Sequence, residues 1–199
     1  MDDKQLNVTK LVLFILLLSG CGLFSTRTPE EPEGGSNTEW QFPRTPRIVT
    51  ENLEVAVGRR SSVDYMRSFS AEDDGDAEFV FEADPDAEAN NPDLFTDWDI
   101  KRERNHVQSL FSPSNLPLDS LAELLIEMTR EPVILGDSAD LSAEYKLTLG
   151  HLRDAAPRRM DGYLDFCLRR ADDGGWYIRL WRDKRLAGHH CWSDLKAQF

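Results

Sequence analysis

The stretch Tyr163–Asp183 constrains the fold more than any other part of this chain. Two segments rich in aromatic and branched residues, Tyr163–Arg170 and Trp176–Asp183, flank Asp172-Asp173-Gly174-Gly175. Asp-Gly is a preferred two-residue hairpin turn, because that turn needs positive φ at its central positions. With Asp173-Gly174 as the loop, Phe166 falls opposite Trp181, Arg170 opposite Tyr177 and Asp165 opposite Arg182. Aromatic and opposite-charge pairs across strands contribute up to ~1 kcal/mol each, so the register is self-consistent. Alternation then places Trp176, Ile178, Leu180 and Cys167 on one face. Phe166, Leu164, Leu168, Tyr177 and Trp181 lie on the other. A sheet wetted on one side does not look like this. Helices are expected over one face, and the C-terminal tail or a second copy of the chain over part of the other. Tyr177, Trp181 and Phe166 are accordingly the candidate interface residues.

The elements upstream are read from periodicity. Thr45-Pro46 starts a helix, with Val49, Leu53, Ala56 and Val57 on one face and Gly58 as its end. Ser61 or Ser62 starts a second, with Tyr65, Met66 and Phe69 on its stripe. After the polar turn Glu72–Asp76, Phe79-Val80-Phe81 alternates as a strand. Thr96-Asp97-Trp98-Asp99 is a capping box opening a helix to about Phe111, with Ile100, Val107, Leu110 and Phe111 inward. Glu103 falls in the middle of that apolar stripe. It is either a boundary residue paired with Arg67, Arg104 or an arginine of the sheet, or a pocket carboxylate. Glu144–Leu152 alternates with Tyr145, Leu147 and Leu149 together. Residues 118–130 satisfy two patterns: Leu121, Leu124, Leu125 and Met128 suit a helix, while Ala122, Leu124, Ile126 and Met128 alternate with Glu123 and Glu127. The order of elements around them selects the strand.

The N-terminus carries an address. Leu11–Leu18 is an unbroken apolar run of eight residues, which as a helix reaches about 12 Å and cannot cross a ~30 Å bilayer core. Ser19 and Gly20 supply the small residues that a signal peptidase requires, immediately before Cys21. Leu18-Ser19-Gly20-Cys21 resembles the lipobox of bacterial lipoproteins. That resemblance implies cleavage before Cys21, lipid on its thiol and a permanent membrane anchor, since two or three acyl chains at ~0.8 kcal/mol per buried CH₂ hold a protein where one does not. Gly22 after the cysteine implies outer-membrane sorting facing the periplasm, or the outer face of a single membrane. Residues 22–44, rich in Ser, Thr, Pro, Glu and Gly, cannot bury enough apolar surface to fold. The expected organisation is a signal peptide at 1–20, a lipidated cysteine and tether at 21–44 and one α+β domain at 45–199. Trp40 and Phe42 are placed to pin the tether to the domain.

Charge limits the partners. The chain has a net charge of −13, and 29 of its 36 Asp and Glu precede residue 150 against 13 of its 23 Lys and Arg. No clustered basic surface follows from this composition, which argues against nucleic acid as a partner. The acidic 84–93 segment has oxygen-bearing residues at every second position, Asp84, Asp86, Glu88 and Asn90. It lacks the Gly at the sixth place and the Glu at the twelfth that a calcium loop needs, having Ala89 and Phe95 there, and reads as a solvated turn. His189-His190-Cys191 cannot converge on one ion in an extended chain, because neighbouring side chains point apart. No cofactor motif and no metal site are expected. Cys167 and Cys191 are a candidate disulfide in an exported compartment, with a buried free thiol as the alternative.

Helices followed by a strand, a further helix and successive antiparallel strands make an α+β pattern. With Gly175–Asp183 as a late aromatic strand, residues 45–199 resemble the nuclear-transport-factor-2-like superfamily. The ending Trp192-Ser193-Asp194-Leu195-Lys196 also resembles small bacterial lipoproteins that carry such a domain. The resemblance implies N-terminal helices wrapped by a curved antiparallel sheet into a cone with an open pocket. The superfamily holds isomerases, dehydratases and cyclases as well as non-catalytic binding and assembly modules, so fold does not decide function. Its enzymes set a carboxylate or His base beside a Tyr or second acid. No contiguous motif here matches theirs; the nearest candidates are Asp99, Glu103 and His106, with Tyr65 or Tyr145 facing them. The leading expectation is a non-catalytic lipoprotein that binds a small ligand or an envelope protein. The rivals are an isomerase or hydro-lyase using a carboxylate base, and a homodimeric scaffold.

Overall fold

The computed structural model describes residues 39–69 and 79–199. The signal peptide, Cys21, most of the tether and the polar turn at 72–76 lie outside them. Pro46 opens α1 (Pro46–Arg59) with its φ already helical, and Thr45 precedes it in an extended conformation without a side-chain cap bond. The helix runs through Gly58, its expected end, and stops at Arg60, whose φ is 54°. That left-handed turn normally selects Gly; here the Arg60 guanidinium gains the Ser120 carbonyl as a partner. Ser61 caps the short α2 (Ser62–Met66) by accepting the Asp64 N–H at 3.1 Å. The packed domain begins before Thr45. Asn52 exchanges two hydrogen bonds with the Gln41 backbone, the Trp176 N–H donates to the Pro43 carbonyl, and Arg67 lies 3.4 Å above the Trp40 ring.

A loop assignment and a capping assignment are corrected. The 84–93 segment is not a solvated turn. Asp84 accepts the N–H groups of Asp86 and Ala87 and starts α3 (Pro85–Asn90), with Pro85 at the first helical position. The helix after Thr96 begins later than expected, as α4 (Ile100–Leu110). Its cap is Asp99, which accepts from Lys101 and Arg102. Both corrections have one cause: an aspartate two or three residues before a free N–H captures it more readily than the surrounding pattern indicates.

The sheet comprises β1 (Val80–Glu82), β2 (Ala122–Met128), β3 (Val133–Leu135), β4 (Ser138–Leu149), β5 (Arg159–Arg170) and β6 (Trp176–Arg185). Its order is β1-β6-β5-β4-β2, with β3 pairing the near end of β4. β1 runs parallel to β6 and every other pairing is antiparallel, so the curved sheet is mixed rather than wholly antiparallel. The ambiguous 118–130 segment is a strand. Seven of its residues register on β4, a ladder that outweighs local helix preference, and Glu54 of α1 accepts the Ile126 N–H at 2.6 Å.

The β5–β6 hairpin follows the expected register at Phe166↔Trp181 and Asp165↔Arg182 but not at Tyr177, which pairs with Arg169. The loop has three residues, Asp172–Gly174, with Gly174 at φ 84°, and the ladder slips by one residue between Cys167 and Leu168. The extra loop residue and an extra residue at Arg179 cancel. That bulge reverses the facing of everything beyond it. Trp176 and Ile178 join Trp181 in the core, while Tyr177 turns away and donates to Asp173 Oδ2 at 2.6 Å.

The expected aromatic interface is therefore corrected. Trp181 and Phe166 are 0% and 1% exposed, inside the cone, where they pack against Phe81, Phe69 and Trp192. Leu141, Leu147, Leu164 and Leu168 complete the inner face, against Val49, Leu53, Val107 and Leu110 of the helices. Burying each side chain of this size contributes about 1.5–3 kcal/mol. Among the described residues no helix is long and apolar enough to cross a membrane.

Candidate functional site

The cone's interior is set by the last helix, α5 (Trp192–Lys196). Gly188, at φ 82°, turns the chain back, and Asp194 accepts the Cys191 N–H at 3.0 Å to start the helix. Five residues would not hold a helix alone; burial does. Trp192 stands edge-on to Trp181 with ring centres 4.7 Å apart, and Leu195 is fully buried.

Lys196 follows them inward, with its side chain wholly out of solvent. Its ammonium lies 4.3, 4.9 and 4.7 Å from the ring centres of Phe81, Trp98 and Trp181 and donates to Glu103 Oε2. Aromatic faces and a carboxylate together replace the water that the ammonium has lost. Glu103 is 0% exposed. Tyr65 Oη donates to its Oε1 at 2.7 Å and Trp98 Nε1 to its Oε2 at 2.7 Å. Burial, then the Glu103 charge, push the Tyr65 phenol well above its ordinary pKa, so it is a hydrogen-bond donor and not a base. Burial lowers the pKa of Lys196, and Glu103 works against that.

A second buried carboxylate lies on β6. Asp183 Oδ1 accepts from Tyr145 Oη at 2.7 Å, and its Oδ2 accepts from the backbone N–H and hydroxyl of Ser193 at 2.7 and 2.6 Å. The Tyr145 oxygen in turn accepts the Trp192 N–H at 2.7 Å. Tyr145 crosses its β5 neighbour Gly162 to make these bonds. A Cβ there would meet the Tyr145 hydroxyl at 2.7 Å and the Lys184 carbonyl at 2.5 Å. Burial holds the Asp183 carboxyl above its usual pKa.

Of the candidate catalytic residues, the structure joins Tyr65 and Glu103 and separates the others. Glu103 pairs with Lys196, not with Arg67, Arg104 or a sheet arginine. Asp99 is the exposed cap of α4, and Tyr145 serves Asp183 instead of facing Glu103. His106 is 3% exposed on α4 beside Trp98 and Phe199, and neither ring nitrogen has a partner among the described residues. Burial, then the Lys196 charge, hold its pKa well below the usual value, so the ring is neutral near pH 7. The seam between Tyr65, His106, Leu110, Leu147 and Trp192 is too narrow for a water molecule. Tyr and carboxylate are thus adjacent, but the seam that Tyr65 lines holds no substrate-sized space.

Asp183 and Lys196 were not singled out from the sequence. The available signal for Asp183 was its position two residues after Trp181, on the same inward face of a strand. Lys196 carried none beyond its place after Trp192 and Leu195.

Cys167 and Cys191, the candidate disulfide, are free thiols, the second of the two readings. Cys191 is buried at the start of α5, and Cys167 lies on the outer sheet face against Asp140 and Arg182. The side chains of His189-His190-Cys191 go to separate places: His189 to Asp161 at 2.8 Å, His190 to Asp194 at 3.3 Å and Cys191 into the core. Among the described residues no three His, Cys, Asp or Glu side chains are placed to hold a metal ion.

No family model matches the sequence, and no curated protein is significantly similar to it. Solved structures do resemble the fold. A conserved protein from Planctomyces limnophilus DSM 3776 is 13% identical over 70% of this chain and 92% of its own, with a TM-score of 0.53. A ketosteroid isomerase-like protein from Erwinia carotovora atroseptica SCRI1043 is 13% identical over 71% of this chain and 93% of its own, at 0.49. An NTF-2 like protein of unknown function from Shewanella oneidensis MR-1 is 13% identical over 68% and 93%, at 0.41. At these identities the likeness is one of fold alone, and the fold is an α+β cone whose mouth is filled by the chain's own C-terminal helix.

Proposed function

We propose that this protein is a lipid-anchored binding module of the cell envelope, without acid–base chemistry in its cone, that takes a ligand or partner at its surface. The observation that carries the second half is the placement of α5. Lys196 supplies the counter-charge to Glu103 beside Tyr65, while the other interior Tyr–carboxylate pair, Tyr145 and Asp183, is closed by the Trp192 N–H and by Ser193 of the same helix. A general base must reach the proton that it removes. Every oxygen of Glu103 instead accepts from Tyr65, Trp98 or Lys196. The first half rests on the Leu-Ser-Gly-Cys sequence at 18–21 and the Pro/Glu/Gly-rich tether after it.

Two measurements test the reading. Native protein should fractionate with membranes and carry lipid on Cys21, and Cys21→Ser should release it; an unmodified residue 21 with the leader attached contradicts the anchor. Deuterium wash-in from D₂O into enolisable ketones reports carboxylate-base isomerisation. The protein should catalyse none, and exchange abolished by Glu103→Gln would establish the enzyme instead.

A further inference from the structure

Val133, Ile134 and Leu135, the whole of β3, are 45%, 53% and 74% exposed. Successive side chains of a strand point to opposite faces, so this short hairpin is apolar and open on both sides. Single exposed apolar residues are ordinary, but a consecutive run of them marks a surface that something outside the fold covers. We propose that the β3–β4 hairpin is a membrane-docking surface, whose apolar side chains enter the headgroup–acyl boundary of the bilayer that holds the lipid anchor.

The position of the hairpin selects the bilayer, because the chain from the anchor enters the domain at the same end. The Pro43 carbonyl accepts the N–H of Trp176, the first residue of β6, at 2.8 Å. Arg47, in the first turn of α1, pairs at 3.3 Å with Glu131, two residues before β3. The Asp137 carbonyl, at the hairpin turn, accepts the N–H of Arg170 at the end of β5, also at 2.8 Å. Phe42, beside this entry, is itself 39% exposed. Cys21 and Glu39 are 18 positions apart, a length of chain that reaches at most about 60 Å. An anchor on Cys21 therefore holds the domain close to the surface and is fastened to the end that carries β3.

The edge of β3 is poorly suited to a protein strand. Among the described residues it pairs only with β4, but it is three residues long and follows Pro132, which has no N–H to donate. A partner packed on one face would leave the other wet, whereas a lipid boundary covers both. The net charge of −13 gives the chain no attraction to an anionic leaflet, so docking rests on apolar insertion. Gly136, at φ 62°, and Asp137 form the turn, and the Asp137 carboxylate limits insertion to headgroup depth. Three side chains do not hold a free protein on a membrane; they act once the anchor supplies a high local concentration.

This inference rests on the lipid-anchored reading and adds the surface that the anchor brings to the membrane. The mature chain with Cys167→Ser is coupled through its Cys21 thiol to a maleimide lipid in phosphatidylcholine vesicles, so the anchor is supplied chemically. It is compared with the same chain uncoupled and free in solution. Amide hydrogen exchange is read by mass spectrometry for residues 131–138. Residues 115–121 serve as the matched control: Leu118 and Leu121 are 74% and 55% exposed, beside the strand start that pairs with the far end of β4.

On the vesicles, exchange in 131–138 should slow by about tenfold, with 115–121 unchanged. Salt at about 0.5 M should make no difference. Ile134→Asp should abolish the slowing without lowering the melting temperature, since the side chain is exposed. No slowing in 131–138, or equal slowing at both ends, overturns the docking surface. Slowing in the free chain that grows with protein concentration assigns the hairpin to a second copy and overturns the bilayer as its occupant. An unmodified residue 21 in native protein would sink the natural anchor while the vesicle exchange still decides the hairpin, so the two failures are distinguishable.

Discussion

Glu103 and Asp183, two of the buried carboxylates, hold the same helix by different means. Glu103 meets α5 with a full counter-charge, Lys196, inside a ring of aromatic faces. Asp183 meets it with dipoles only, the hydroxyls of Tyr145 and Ser193 and one backbone N–H. A buried charge answered by a charge is costly to break, because the survivor is left in the core without its counter-charge. A buried carboxyl answered by neutral donors can take up a proton instead, and burial moves Asp183 in that direction. One end of α5 is thus fixed by an ion pair, and the other by a network whose strength depends on pH.

Breaking the ionic end should have the largest effect. Lys196→Met removes the counter-charge of buried Glu103 and should cost about 3–5 kcal/mol in urea unfolding. The double variant Glu103→Gln/Lys196→Met should recover most of that loss, since no lone charge remains. Asp183→Asn should cost less, about 1–3 kcal/mol, by leaving Tyr145 and Ser193 incompletely paired. Gly162→Ala attacks the same network through its neighbour and should cost about 1–3 kcal/mol by displacing Tyr145. Asp99→Ala removes only the exposed cap of α4 and should cost about 1 kcal/mol.

The pH profile sharpens the contrast further. A raised folded pKa means that Asp183 holds its proton more tightly folded than unfolded. Its contribution is therefore complete below the unfolded value of about 3.9 and is lost as pH rises through the folded value. Asp84 is the opposite case. Burial alone would raise it, but hydrogen bonds from the Arg185 backbone and guanidinium outweigh burial and lower it. Its contribution is complete above about 3.9 and is lost as pH falls through the folded value. Stability measured against pH should accordingly lose part of its decline above pH 4 in Asp183→Asn, and part of its acid loss in Asp84→Asn.

Much of this architecture was legible in the chain. Alternation at 122–128 identified a strand against local helix preference, and the Asp-Gly turn gave the pairs Phe166↔Trp181 and Asp165↔Arg182. Glu103 stood out because a carboxylate in the middle of an apolar stripe needs a partner. The partner was not legible. Lys196 is 93 positions away, and lysine is normally an exposed residue, so only the folded topology brings them together. The facing of Tyr177 was misread because a bulge at Arg179 has no sequence mark, and the expected interface depended on that facing. The acidic 84–93 stretch was read for its oxygen spacing, when the informative pair was Asp84 followed by Pro85, a helix start.

α5 closes the cone for as long as the domain stays folded, and native-state amide hydrogen exchange tests this most directly. The N–H groups of Trp192 and Ser193, bonded to Tyr145 and Asp183, should exchange only through global unfolding, as slowly as the amides at the centre of β5. Exchange of these two amides orders of magnitude faster than β5 would show that the helix opens on its own, and would return Glu103 and Tyr65 to the list of accessible catalytic groups.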